Sequence, residues 1–248
     1  MRNNEKNMHK KNWNLDFLSM RWYNQMSVYF FIWRKIEVTI RNWIRFFIHT
    51  LVIGGAVTAT AALLIRWDQF GPYVQDGNVI GILSSLLWFI FVGFTFSVIS
   101  QMGYFAYLTI HQFGMGMFKS LWNPVQVVLI ALVLFDLIYF RFRAFAEEGE
   151  SYTPYIFLGI GILVVGLIVA YMKNQQSEAK TNTFVSALFF MIVVTTLEWL
   201  PVLLVNSVKW LYLMLLALLA CNAFQLLRLP KYIEKSQMER QRKEPTNS

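Results

Sequence analysis

The segment VVTTLEWLPVLLV, residues 193–205, places one carboxylate, Glu198, and one proline, Pro201, inside an otherwise apolar run. The fold depends on whether this run is a core helix of a water-soluble domain or a segment that crosses a membrane. Composition favours the membrane. Of 248 residues, 56% are hydrophobic, 17% aromatic and only 15% charged, against roughly 25% charged in ordinary soluble domains. A soluble helix would show a polar face every third or fourth residue. Six windows here show none: 46–65, 79–100, 121–140, 155–172, 184–205 and 210–227. Each approaches the ~20 residues that cross a hydrocarbon core. Helices satisfy their backbone hydrogen bonds within the segment, so they suit such an environment. The expected fold is all-α, a multi-pass integral membrane protein with six transmembrane helices.

The punctuation between windows agrees. Gly71-Pro72 falls in the first connection, Glu147, Glu148, Gly149, Glu150 and Pro154 in the third, and Pro230 comes after the last window. The connections are too short to hold a sensor or catalytic domain. There is no internal repeat, no low-complexity tract and no secretory cleavage pattern. After the second window the segment 101–122 stays apolar, with Tyr104, Tyr107, His111 and Lys119 interleaved. It reads as an interfacial segment on the cytoplasmic side, with a longer, tilted second helix as the alternative.

Orientation is set by the positive-inside rule. With the N-terminus in the cytoplasm, inner segments carry 18 Lys and Arg and outer segments four, Arg66, Arg141, Arg143 and Lys209. Both termini are therefore expected inside. The net charge of +8 is explained by this asymmetry. Because the basic residues are divided among tails and connections, a nucleic-acid surface is not indicated. The basic run from Lys231 to Lys243 is suited either to anionic lipid or to plain solvation.

The motifs that would signal chemistry are missing. Cys221 is the one cysteine and reads as a small apolar packing residue. His9, His49 and His111 have no carboxylate or thiol at metal-ligand spacing, so no metal or other cofactor is expected. GMGMFKS, residues 114–120, superficially resembles a phosphate loop, but Phe118 precedes the lysine and no strand leads into it. Nucleophile, base and acid arranged for hydrolysis are likewise absent. In the first window Gly54, Thr58 and Ala62 fall four apart with Gly55 and Ala59 beside them, a face narrow enough for close helix approach, within the chain or to a second protein.

The stretches ISQMGYFAYLTIHQFG, FKSLWNPVQVVLIALVLFDLIYFRFRAFAEEGES, ALFFMIVVTTLEWLPVL and WLYLMLLALLACNAFQLLRLPKY closely resemble the KinB-signalling pathway activation family of spore-forming Bacillus relatives, over about residues 38–233. The resemblance implies a non-enzymatic cell-membrane activator of the sporulation sensor histidine kinase KinB, which feeds a phosphorelay. It supplies no catalytic residues and no small-molecule substrate. It points instead to the cytoplasmic end, here Arg228 onward with Lys231 and Lys235, and to the kinase as partner; membrane lipid is expected as a partner from the apolar windows and the basic tail. The rival reading is a small transporter or channel using Asp136 and Glu198, since intramembrane acids mark ion paths. No discontinuous helix pair or repeat supports it. An enzyme would lack nucleophile and base.

Glu198 needs a reason, because a charge in a membrane helix costs up to ~3 kcal/mol. The protonated acid donates a hydrogen bond to a neighbour, and Pro201, lacking an amide hydrogen, leaves the Leu197 carbonyl without its helical donor. We expect a polar intramembrane site of Glu198 and Pro201, joined to Asp136 at similar depth. It would be internal glue, a contact with the kinase's own helices, or a proton path.

The expected organisation is an extension over 1–37, a six-helix membrane domain over 38–233 and a charged cytoplasmic tail over 234–248. This layout can be tested at its start and at its connections. Residues 1–37 crowd Asn, Lys, Trp and Tyr without periodicity. Trp33-Arg34 can be encoded TGG AGG, which contains a ribosome-binding sequence, shortly before Val38, whose GTG codon also serves as a start. We expect translation to begin at Val38; the alternative is a cytosolic extension whose MSVYFFIW adheres to the membrane. N-terminal mass spectrometry of the native protein decides, and any peptide from before residue 38 refutes the late start. For topology, in a Cys221→Ser background, Ser151→Cys is expected to react with an impermeant maleimide in whole cells and Ser177→Cys only after lysis. Reversed labelling would overturn the charge argument.

Overall fold

A computed structural model of the chain describes residues 39–146, 149, 151–177, 180–205 and 207–242. The extension over 1–37 and the acidic residues Glu147, Glu148 and Glu150 lie outside them. The described residues form helices joined by short turns, with no strand among them: α1 (Ile40–Ile65), α2 (Trp67–Gln75), α3 (Val79–Phe118), α4 (Trp122–Phe135), α5 (Arg141–Phe145), α6 (Thr153–Gln175), α7 (Lys180–Phe189), α8 (Thr195–Val205) and α9 (Val208–Gln241). A 3₁₀ turn, Lys119–Leu121, joins α3 to α4, and π-helical turns, Asp136–Phe140 and Phe190–Val194, join α4 to α5 and α7 to α8.

Five helical runs are long and apolar enough to cross a membrane, where the sequence led us to expect six. The difference lies in the stretch Val79–Phe145, one run of 67 residues. Straight, it would extend roughly 100 Å at 1.5 Å per residue, far beyond a ~30 Å hydrocarbon core. It is not straight. The Trp122 indole N–H donates to His111 Nδ1 at 3.0 Å, and Gln126 Nε2 lies 3.4 Å from the same nitrogen. Residues 11 and 15 positions apart on a straight helix would be about 16 and 22 Å apart along its axis. The chain therefore reverses at Lys119–Leu121, and the second and third windows lie on α3 and α4. The segment after Ser100, expected to be a separate interfacial piece, instead continues α3 to Phe118.

Two further readings of punctuation are corrected. The first connection is largely the short helix α2, with Pro72 inside it. Its Phe70 is fully buried in a cluster with Ala61, Ala62, Phe89 and Leu213, and that burial outweighs the weak helix-forming tendency of Gly71-Pro72. Pro230 does not lie beyond the last helix, because α9 runs through it to Gln241. Much of the expected tail is therefore helical.

Burial identifies the centre of the bundle. In the most apolar windows of Thr183–Val205 and Val208–Gln241, 61% of residues are buried, against 22–33% in the other three runs. All five residues of the second π turn, Phe190–Val194, are buried. The outer runs present apolar side chains outward, among them Leu83, Leu87, Phe91, Val128, Leu132 and Ile168. That surface is favourable against lipid and costly against water.

Close approach of α1 to α3 depends on the small residues singled out in the sequence. Gly54, Gly55, Thr58 and Ala62 are buried and Ala59 half-buried. A Cβ at Gly93 would overlap the Gly54 carbonyl and lie 2.7 Å from Gly55 Cα and 2.8 Å from Thr58 Oγ1. One at Gly54 would overlap Ser97 Oγ. The two backbones thus meet at van der Waals distance, the geometry that small residues permit in membranes. Ser97 Oγ adds hydrogen bonds to the Thr50 carbonyl at 3.1 Å and the Gly93 carbonyl at 2.9 Å, while Cys221 Sγ lies 3.5 Å from the same hydroxyl.

The contacts divide the described residues into two units, one within 44–230 and a smaller one of residues 39–43 with 231–242. Within the smaller unit, buried Asn42 donates to Ser236 Oγ at 2.8 Å, and Arg41 forms an ion pair with Glu239 at 3.0 Å. The start of α1 and the end of α9 are tied together there.

The Gly54–Gly93 crossing gives a test. Gly93→Ala is expected to cost about 1–3 kcal/mol, as overpacking does, seen as a lower unfolding temperature of the purified protein and reduced abundance in membranes. Gly116→Ala, where a Cβ would meet nothing within 4 Å, should leave both unchanged. Equal behaviour of the two variants would refute the close crossing.

Candidate functional site

Glu198 lies in the first turn of α8, directly after the π turn, and is buried at 7% exposure. Its partner is not Asp136. Asn222 of α9 donates from Nδ2 to Glu198 Oε2 at 2.7 Å and to Thr195 Oγ1 at 2.9 Å. Asn222 Oδ1 in turn accepts from Ser100 Oγ at 2.6 Å, and Ser100 Oγ accepts from Gln225 Nε2 at 2.5 Å. The bonds run in one direction, Gln225 to Ser100 to Asn222, then to Thr195 and Glu198. Such chains polarise one another and are strong where the dielectric is low. Thr195 continues it to the Phe190 carbonyl at 3.5 Å, and Thr196 donates to the Ile192 carbonyl at 2.7 Å.

Three elements build this layer. On α3, Ser100 and Gly103 face it; a Cβ at Gly103 would overlap the Glu198 carboxyl, so the missing side chain makes the notch that the carboxyl fills. On α9, Asn222 and Gln225 are one turn apart and both buried. From α8 come Thr195 and Glu198, also one turn apart, so the π turn preceding them sets their rotation toward α3 and α9. Glu198 Oε1 and Gln225 Oε1 have no hydrogen-bond partner among the described residues.

The other residues singled out in the sequence are elsewhere. Asp136 opens the first π turn and is exposed, outside this network. A π turn carries one residue more than an α turn and rotates the residues beyond it by about 100°; Glu198 lies just beyond such a turn and is buried against α3 and α9, while Asp136 is exposed. Pro201 is on the exposed side of α8, which continues through it. Arg141, counted in the sequence as a loop cation, is buried and donates to the Leu203 carbonyl at 3.0 Å. It supplies positive charge to the C-terminal end of α8, where the helix dipole favours a cation. Arg228, Lys231 and Lys235 are exposed along α9.

Reasoning from the sequence built the polar site on Glu198, Asp136 and Pro201 and so missed Ser100, Gly103, Asn222 and Gln225. The available signal was the pair of amides one turn apart inside an apolar window. Burying an unpaired amide costs several kcal/mol, so neutral polar residues at helical spacing demand partners almost as firmly as a carboxylate does.

Nothing in this layer resembles a nucleophile beside a base, and among the described residues no three His, Cys, Asp or Glu side chains cluster as a metal would require. The arrangement ties three helices together. No solved structure matches the chain. A family model whose description reads KinB-signalling pathway activation in sporulation matches residues 54–232. The KinB-signaling pathway activation protein of Bacillus subtilis (strain 168) is 47% identical over 197 residues, covering 79% of this chain and 98% of that protein. The match takes in α3, α8 and most of α9, and with them the whole polar layer, so the chain belongs to the KinB-signalling pathway activation family.

Proposed function

We propose that this protein acts in sporulation as a non-enzymatic, multi-pass activator in the cell membrane that promotes signalling by the sensor histidine kinase KinB. The observation that carries the reading is the 47% identity to the Bacillus subtilis KinB-signaling pathway activation protein along 98% of its length. The five long apolar runs suit an activator that works through helix faces and tails. The exposed basic residues Arg228, Lys231 and Lys235 are the candidates for a cytoplasmic contact with the kinase or with lipid. A strain lacking its own family member is expected to regain KinB-dependent sporulation when it expresses this chain, and the chain should co-purify with KinB from cross-linked membranes. Failure of both would end this reading. A transporter would instead move protons or solute in liposomes, which an activator does not.

Glu198 in this reading is glue inside the protein. Its hydrogen bond to Asn222 closes within the chain, and Gly103 leaves no spare room at the carboxyl. Glu198→Gln keeps an acceptor for Asn222 and should retain signalling and abundance. Glu198→Leu removes it, at about 1 kcal/mol and up to ~2 kcal/mol for a hydrogen bond between membrane helices, and should lower the amount of protein in the membrane, with signalling falling in proportion. Immunoblots of membranes beside sporulation counts separate the cases. Normal abundance with lost co-purification would make Glu198 a kinase contact, and normal signalling at normal abundance would make the carboxylate incidental.

A further inference from the structure

A cavity of about 420 Å³ opens at the turn between α3 and α4. Lys119, Lys173, His111, Ser120, Asn123 and Thr183 are among its lining residues, and among the described residues no carboxylate lines it. Among the described residues neither lysine forms an ion pair. The sequence places these lysines 54 positions apart, and the fold turns both into one chamber. Two ammonium groups at a shared cavity repel each other unless an anion lies between them.

The cavity wall is braced before any ligand arrives. Tyr107 donates to the Ser186 carbonyl at 3.1 Å, Ser186 Oγ donates to Gln126 Oε1 at 3.1 Å, and the Trp122 indole donates to His111 Nδ1 at 3.0 Å. Because an indole nitrogen only donates, His111 Nδ1 is the acceptor, and the ring proton is on Nε2 as one more donor at the cavity. Gly114 lets Trp122 pack this closely, since a Cβ there would overlap the indole.

Lys119 itself is held in an unfavourable backbone conformation, φ +48° and ψ −116°. Glycine is the usual residue in this region, which corresponds to the first central position of a type II′ turn. A lysine kept where glycine would be relaxed suggests that its side chain has a use. GMGMFKS is not a nucleotide loop, since α3 leads into it where a strand would be required, yet its lysine reaches a site fit for phosphate by another geometry.

We propose that this cavity binds a phosphate-bearing anion between Lys119 and Lys173, the headgroup of an anionic phospholipid or a soluble phosphorylated molecule. Basic pockets between membrane helices take lipid headgroups in this way. The lipid source is favoured by the exposed apolar residues at the same turn, Met117, Phe118 and Leu121, which offer a surface to acyl chains. The inference is independent of the kinase reading, and its test uses no sporulation readout.

The test compares unfolding temperatures of the full chain in neutral detergent with dioleoyl phosphatidylglycerol, with dioleoyl phosphatidylcholine or with inorganic phosphate, alongside native mass spectrometry. A saturating ligand is expected to raise Tm by roughly 3 °C or more. Phosphatidylglycerol should do so and be retained in the mass spectrum, while phosphatidylcholine should not. Lys173→Gln and Lys119→Gly should abolish the shift. Lys119→Gly also relieves the backbone strain, so its ligand-free Tm should equal or exceed that of the parent, which separates lost binding from lost folding. A shift with inorganic phosphate alone, abolished by the same variants, assigns the site to a soluble phosphorylated molecule. No shift with either anion, or a shift that survives both substitutions, overturns the proposal.

Discussion

A polar side chain inside an apolar surrounding must find its partner within the protein, and the packing of α3, α8 and α9 is governed by that requirement. In water, Asn222 could satisfy its amide from any direction. Between these helices its partners among the described residues are Ser100 of α3 and Thr195 and Glu198 of α8, which together fix the rotation of α3 and α8 against α9. Lipid tails are as apolar as leucine, so hydrophobicity gives membrane helices little reason to prefer one neighbour or one rotation over another. The directional bonds provide that preference, and the apolar contacts fill the space around them.

The bonds form only because backbones come close enough, which is the contribution of the small residues. Gly54 and Gly93 let α1 rest on α3, and Gly103, three turns further along α3, leaves the notch that the Glu198 carboxyl occupies. One helix thus uses absent side chains twice, once to admit a backbone and once to admit a carboxyl. The π turn before Thr195 has the complementary effect on α8. By adding one residue it brings Thr195 and Glu198 to face α9, leaving Pro201 outward.

Composition and periodicity control the features that could be read in the sequence: helices throughout, apolar windows, and the small-residue face of α1. The features that could not be read depend on rotation and on chain reversal. By sequence, Asp136 and Glu198 are expected at similar depth, but depth says nothing about direction around a helix, and the π turns shift that direction without a mark in the residue types. A break between the second and third windows was legible, but its exact place at Lys119 was not, since GMGMFKSLW contains no proline and its glycines are tolerated in membrane helices. Pro72 and Pro230 misled in the other direction, because tertiary packing keeps α2 and α9 helical through residues that would end an isolated helix.

The reversal at Lys119 also determines how the connections are shared between the two ends of the larger unit. Once α4 folds back along α3, the α3–α4 turn and the end of α6 can meet, and Lys119 and Lys173 do line one cavity. At the opposite ends of these helices, Asp68 at the start of α2 pairs with Lys209 at the start of α9 at 2.7 Å. Arg66 stacks its guanidinium 4.6 Å from the centre of the Trp210 ring, and Arg141 after α4 reaches the end of α8. The Asp68 carboxyl is held below its usual range by the hydrogen bond from Lys209, an exposed pair that adds little stability but joins two connections. These pairings are those of helices that alternate in direction, with α3 and α4 as separate, reversed helices. Up-and-down order is therefore a consequence of contacts between connections, which gather Lys119 and Lys173 at one end of the unit and the Asp68–Lys209 pair at the other.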